Sequence, residues 1–167
     1  MFQTNMTIEG DTMWVIFSGK LVRNHLHQFL DHYTKLSKED CYNRFFNTMS
    51  PDAIRNWLLS MDEADTKTFI THISEHQEMV CIAEMTVENN QGEIVISVLP
   101  EARGKGLGKK AINMLKNIAE NKHVEKISFQ CEFNNIACRS LFESCGFQIK
   151  YDQDNRTFYG WIDYEPC

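Results

Sequence analysis

Residues Arg103-Gly104-Lys105-Gly106-Leu107-Gly108-Lys109-Lys110 put three alternating glycines among four cations. Glycine lets the backbone approach a ligand closely, and a helix start presents N–H groups with a partial positive charge. A phosphate group suits such a place. Arg103, Lys105, Lys109, Lys110 and Lys116 fall together with no acid between Ala102 and Ala119. Their charge is screened over about 10 Å in dilute salt, so it acts locally. A Walker A loop needs GxxxxGK[ST], and no register here supplies it. A dinucleotide fingerprint or a kinase glycine loop needs a third glycine where Lys109 stands. A tight strand-to-helix turn explains one of these glycines better than all three.

Other reactive side chains say less. The six cysteines, Cys41, Cys81, Cys131, Cys138, Cys145 and Cys167, form no CxxC pair and no zinc-finger spacing. They read as reduced, mostly buried thiols. Cys138 and Cys145, seven apart, share a helix face, which fits core packing better than an acyl-cysteine relay. Among the six histidines, His25 and His27 fall in a helical region and His72 and His76 flank a strand end. They read as surface histidines, and no metal site is expected.

These residues need elements to hold them. Trp14 to Phe17 reads as a strand before a turn at Gly19. Leu26, Phe29, Leu30 and Tyr33 make a helical stripe. Ser37, three before Asp40, opens a second helix through Phe45 and Phe46. Ser50-Pro51 starts a third, with Ile54, Trp57, Leu58 and Met61 inward, ended by the acidic loop Asp62 to Asp65. The period then becomes two. Thr68 to Ile73 and Val80 to Val87 read as paired strands, 89–92 as a turn, and Glu93 to Leu99 as a central strand. Leu107, Ala111, Met114, Leu115 and Ile118 mark an amphipathic helix. A strand around Ile127 to Phe133, a helix from about Asn135 to Cys145 capped by Gly146, and a hairpin around Asp154-Asn155 follow.

The chain has 167 residues, 43% hydrophobic and 24% charged, so one domain over 1–167 is expected. This composition excludes disorder and a disulfide miniature. No apolar run approaches the roughly 20 residues that span a bilayer, and no secretory signal opens the chain. A cytoplasmic protein without membrane attachment is expected. Residues 1–90 hold 7 Lys and Arg against 13 Asp and Glu, whereas 91–167 hold 10 of each. One basic patch on an acidic chain points to a small polyanion rather than a nucleic acid. The fold class is α+β, helices packed on a mixed twisted sheet.

Arg103-x-x-Gly106-x-Gly108, after a strand and before a helix, resembles the acetyl-CoA signature of the GNAT acetyltransferases, Q/R-x-x-G-x-G/A. Asn135-x-x-Cys138-x-x-Leu141-Phe142-Glu143-x-x-Gly146-Phe147 is similar to that family's N-x-x-A-x-x-L-Y-E-x-x-G-F, and the order of elements agrees. The resemblance implies the GNAT fold with splayed central strands and acetyl-CoA as co-substrate. Backbone N–H groups from Arg103 through Gly104, Lys105, Gly106, Leu107 and Gly108 to Lys109 would hold the CoA diphosphate. Pantetheine would lie beside Val98 and Leu99, Asn135 would help position the cofactor arm, and Phe142 would line the site.

The implied reaction is direct attack of a primary amine on the thioester. A lysine-like amine with pKa about 10.4 costs roughly 4.6 kcal/mol to deprotonate at pH 7, so a base is needed. Glu93, before this loop, resembles the glutamate of the AEFAVxV segment in bacterial protein-lysine acetyltransferases. A partly buried strand would desolvate it and raise its pKa; an exposed start after Gly92 is the plain alternative, and Glu84 is the reserve. Phe142 stands where many members carry the tyrosine that protonates the leaving thiolate. Ser97, Cys138, Tyr151, water or the substrate would have to replace it. Leu36-Ser37-x-Glu39 and Arg44-Phe45-Phe46 resemble the LS-x-E…RFF stretch of protein-lysine acetyltransferases, and helix caps and core aromatics explain the same residues. The acidic N-terminal half suits a cationic acceptor, a small amine, a polyamine or a protein lysine. A monomer or homodimer is expected. The alternative reading is a weakly catalytic module that senses acyl-CoA, and a third is a regulator that binds another phosphate ligand in the loop.

Overall fold

The computed structural model describes residues 7–9, 12–17, 25–61 and 67–164. The expected turn at Gly19, the acidic loop Asp62 to Asp65 and Cys167 lie outside the described residues. The strands are β1 (Thr7–Glu9), β2 (Thr12–Phe17), β3 (Thr68–Glu75), β4 (Glu78–Glu88), β5 (Gln91–Val98), β6 (Lys126–Glu132), β7 (Gln148–Asp152) and β8 (Thr157–Asp163). The helices are α1 (Leu26–Thr34), α2 (Lys38–Phe45), α3 (Pro51–Ser60), α4 (Leu107–Asn121) and α5 (Ile136–Ser144). The sheet order is β1-β2-β3-β4-β5-β6-β8-β7, antiparallel throughout except for β5 beside β6. β1 is an addition to the strands expected from sequence.

Local chemistry explains most boundaries. The hydroxyls of Ser37 and Ser50 accept the N–H groups of Asp40 and Ala53 and so cap α2 and α3, with Pro51 in the first turn. Asn89 and Asn90 both take left-handed backbone and form a tight two-residue hairpin loop, so β5 starts at Gln91, inside the expected turn. Gly146 ends α5 at φ +89°.

Among the described residues two cores form, one on each face of the sheet. Ala111, Ile112, Leu115 and Ala119 of α4 pack on Ala83, Met85, Ile94 and Ile127. Phe29, Tyr33, Ile54 and Leu58 of α1 and α3 pack on Ile70 and Ile82. Inside the second layer the Arg44 guanidinium meets Glu84 at 2.6 Å, and the Tyr33 hydroxyl donates to the same carboxylate at 2.5 Å. Tyr33, Phe45 and Trp57 surround the guanidinium at 4.7–5.6 Å from their ring centres. Burial first, and then the Glu84 charge, push the Tyr33 phenol well above its ordinary range, so it stays a donor. Glu84, the reserve base, is thereby buried and committed to an ion pair.

The expectation of surface histidines fails at two places. His32 lies on the inner face of α1, three residues after Phe29, and is 1% exposed. Its Nδ1–H donates to the Met79 carbonyl at 2.7 Å, pinning α1 to β4. His72 is buried within β3, with Nδ1 3.1 Å from the Ser74 hydroxyl. Burial lowers both rings from 6.5 to about 4, against the Met79 bond in the case of His32.

Two outcomes follow from this packing. A Cβ on Gly160 would lie 2.2 Å from Cε1 of Phe129, whose ring stacks on Phe142 at 3.8 Å and has no room to yield. Gly160→Ala should cost about 1–3 kcal/mol in chemical denaturation, the range for overpacking. The buried histidines make the unfolded chain bind protons first. Their contribution is complete above pH 6.5, is lost as pH falls from 6.5 to 4, and changes no further below 4, with a ceiling of about 3 kcal/mol for each ring. Denaturation at pH 7 and pH 4.5 should show that loss, and His72→Gln should shrink it.

Candidate active site

β5 and β6 run together only briefly. Their parallel register covers Gln91 to Glu93 opposite Lys126 to Ser128 and then ends. Beyond it β5 stays paired with β4 through Val98, so β6 is the strand that leaves. The Leu99 N–H donates to the Val80 carbonyl at 2.9 Å, which sets the alternation along β5. Odd residues turn their backbone groups to β4; Ile94, Ile96 and Val98 turn theirs toward the gap. A cleft of about 900 Å³ opens there. Ile94 to Val98 line one wall, Gln130, Cys131 and Asn135 to Cys138 the other, and the 102–109 loop lies at the end of β5.

The loop is shaped for a backbone-bound anion. Gly104 and Gly106 both sit at φ +76°, exposed, with nothing within 4 Å of a Cβ built on either. Gly106 precedes α4 and no side chain caps that helix. The first bond into the helix comes from the Lys110 N–H, to the Gly106 carbonyl, so the Leu107, Gly108 and Lys109 N–H groups have no acceptor in their own helix. Gly108 has another task. A Cβ there would lie 2.9 Å from Leu141 Cδ2, so this glycine lets α4 pack closely on α5.

Several sequence expectations change here. The Arg103 N–H already donates to the Pro100 carbonyl at 3.3 Å. Its side chain bonds the Val98 carbonyl through Nε at 3.1 Å and Asp40 at 2.6 Å. Arg103 therefore ties the loop to β5 and α2. Lys105 pairs with Glu75 at 2.9 Å and does not line the cleft. The Lys116 ammonium donates to the Cys145 carbonyl at 2.8 Å, at the end of α5. Of the five clustered cations, Arg103 and Lys109 line the cleft. Leu99 is fully buried and faces away from it. Asn135 lines the cleft, but its side-chain oxygen accepts the Cys138 N–H at 3.1 Å and caps α5. Phe142 lines the floor, stacked on Phe129 and edge-to-face with Phe147.

Glu93 stands at the last β5–β6 pair, just outside the cleft, whose β5 wall begins at Ile94. It is exposed, so the burial expected of it is absent. Ser97, four residues on along the same strand face, lines the cleft and is 7% exposed. Its hydroxyl lies 2.8 Å from Nε2 of His32. His32 was missed as a site residue; its place in the Phe29–Tyr33 stripe was the available signal. On the side of α2, Leu36, Ser37, Glu39, Asp40 and Asn43 close the cleft with an acidic rim.

The family model for GNAT acetyltransferases matches residues 30–147. No curated protein matches the chain. Among solved structures, the GNAT domain of S. lividans PAT is similar at 11% identity and TM-score 0.77, covering 96% of this chain and 97% of that one. The ribosomal-protein-S18-alanine N-acetyltransferase of Escherichia coli aligns at 17% identity and TM-score 0.67, over 93% and 96%. Spermidine N-acetyltransferase from Vibrio cholerae, in complex with CoA and spermine, aligns at 15% identity and TM-score 0.66, again over 93% and 96%. The expected fold is the observed one, and the chain belongs to the GNAT family of acyl-CoA-dependent N-acetyltransferases.

Proposed function

We propose that this protein transfers an acetyl group from acetyl-CoA to a primary amine, a protein lysine or a small polyamine, by direct attack of the nitrogen on the thioester. The observation that carries this reading is the junction of two features. A strand edge loses its partner beyond Glu93, and the same strand ends in a loop whose backbone N–H groups are open to an anion.

The residues present fit acetyl-CoA as the donor substrate. The N–H groups from Gly104 to Lys109 would hold the diphosphate, with Lys109 adding charge. The backbone of Ile94 and Ile96 and the Val98 N–H would take the pantetheine amides as an added strand does, the Val98 carbonyl being bonded to Arg103. Arg103 would hold the loop in shape rather than touch the phosphates, and Leu99 would support β5 from the core. Asn135 and Phe142 would bound the arm. A relative solved with CoA and spermine supports both the donor and a cationic acceptor. The acidic rim at Glu39 suits an ammonium group arriving along α2. The free thiols Cys41, Cys81, Cys131, Cys138 and Cys145 suit a reducing cytoplasm.

Glu93 is the proposed base. From its exposed place beside the closed edge of the cleft it can take the first proton from the ammonium and pass it to bulk water. Glu93→Gln should lower turnover about 10²–10³-fold, with the dissociation constant for CoA unchanged within about twofold. Thiol release from acetyl-CoA with lysyl peptides and spermidine checks this; normal turnover removes Glu93 from the mechanism. Gly106→Ala places a Cβ on left-handed backbone, at about 1–2 kcal/mol. Calorimetry should then show CoA binding weakened about tenfold or more. Tight CoA binding by a wild-type protein with no thiol release would favour a sensor over an enzyme.

A further inference from the structure

Ser97 and His32 form a pair that the reading above does not use. The carbonyl of Met79 can only accept, so His32 must carry its proton on Nδ1 to make the 2.7 Å bond. In the neutral ring Nε2 is then an acceptor. The 2.8 Å contact with Ser97 is therefore a bond in which the hydroxyl donates to Nε2. The consequence reaches the cleft. With its proton aimed at His32, Ser97 offers only lone pairs to whatever lies beside β5. In this state it cannot be the simple proton donor that would replace the missing tyrosine.

The chemistry needs two proton movements. The ammonium loses one proton before it can attack, which is the task proposed for Glu93. As the nitrogen bonds to the acyl carbon it carries one proton too many, while the departing sulfur needs one. Phe142 has no hydroxyl to supply it. Glu93 and Ser97 are four residues apart on one strand, about 13 Å, so the ammonium meets Glu93 on its way in and Ser97 only once it has reached the thioester carbon.

We propose that Ser97 and His32 carry the second proton from the attacking nitrogen to the departing sulfur. Ser97 Oγ takes the proton from nitrogen as its own proton passes to His32 Nε2. The C–N bond forms and the C–S bond breaks. His32 then returns the proton through Ser97 to the sulfur, and the pair ends as it began. Amide and thiol result, with no net change in the protein. Ser97 is the catalytic residue, and His32 is a positioning residue that acts through it. The inference rests on the acetyl-transfer reading.

The surroundings suit a short-lived imidazolium. Burial disfavours it, and so does the Arg44 charge; the Glu84 and Glu78 carboxylates favour it. Tyr33, edge-on to the ring at 5.2 Å, keeps its proton. A ring held near 4 gives its proton back readily, which fits a relay rather than a reservoir.

The test compares Ser97→Ala, His32→Gln and the double variant on acetyl-CoA with an alanyl peptide, a lysyl peptide and spermidine. Each single variant should lower kcat about 10²-fold, with KM for acetyl-CoA changed less than threefold. The double variant should be no slower than the slower single one, because the two act as a unit. Raising the pH should restore Glu93→Gln, by supplying neutral amine, and leave Ser97→Ala slow. A folded Ser97→Ala that keeps kcat within threefold overturns the relay and leaves the acetyl-transfer reading standing. Should that variant not fold, the proton inventory of the wild-type protein in mixed H2O and D2O decides. A bowed curve for two moving protons supports the relay, and a straight line overturns it. A wild-type protein that binds CoA and turns over none of the three acceptors overturns the acetyl-transfer reading and the relay with it.

Discussion

Backbone hydrogen bonding between β5 and β6 stops after Glu93 and Ser128, and the site follows from that interruption. Strands in the middle of a sheet ordinarily satisfy each other's N–H and C=O groups, and leaving such groups unpaired is costly. The break is held open by packing on both sides. β5 keeps its full register with β4, while β6 keeps its own with β8. Below the gap, Phe142 stacks on Phe129 and both meet Phe147 edge-to-face, and Gly108 lets α4 close against Leu141 of α5. The unpaired edge is thus enforced by two well-formed half-sheets, and a ligand with amides of its own can complete it.

The electrostatics of the cleft differ from a simple basic patch. Arg103, Lys105 and Lys116 are each spent on a partner within the fold, so anion binding is left mainly to the backbone of the 104–109 loop. Backbone donors at a helix start are fixed in direction and need no side-chain ordering when a phosphate arrives. Arg103 has become a strut, joining the loop to the end of β5 and to Asp40 at the start of α2. Donor loop and acceptor rim are therefore parts of one connected framework.

Much of this was readable from residue types and spacing. The serine caps at Ser37 and Ser50, the Asn89-Asn90 turn, the glycine run and the stripe of α4 each place an element by local chemistry alone. Most of the readings that failed depend on a partner far along the chain. Arg103 looked like a phosphate ligand because Asp40, 63 residues away, cannot be seen beside it. His32 passed unremarked because its partners, Met79 and Ser97, lie on strands not yet assembled around it. Glu93 was expected to be desolvated by a partly buried strand, yet it lies in solvent at the strand's start after Gly92, as the plain alternative has it. Gly108 resembled its loop neighbours in sequence and differs only because α5 folds back over it.

The Arg44–Glu84 contact joins the helical layer to β4 inside a ring of three aromatic side chains. Removing either member alone strands a charge where water cannot reach, a loss of about 3–5 kcal/mol, whereas exchanging both for well-packed apolar groups can be nearly neutral. The two positions are therefore energetically coupled, and a change at one is best tolerated together with a change at the other. A chain that keeps one charge without the other loses a large share of the roughly 5–15 kcal/mol that ordinarily holds a domain together.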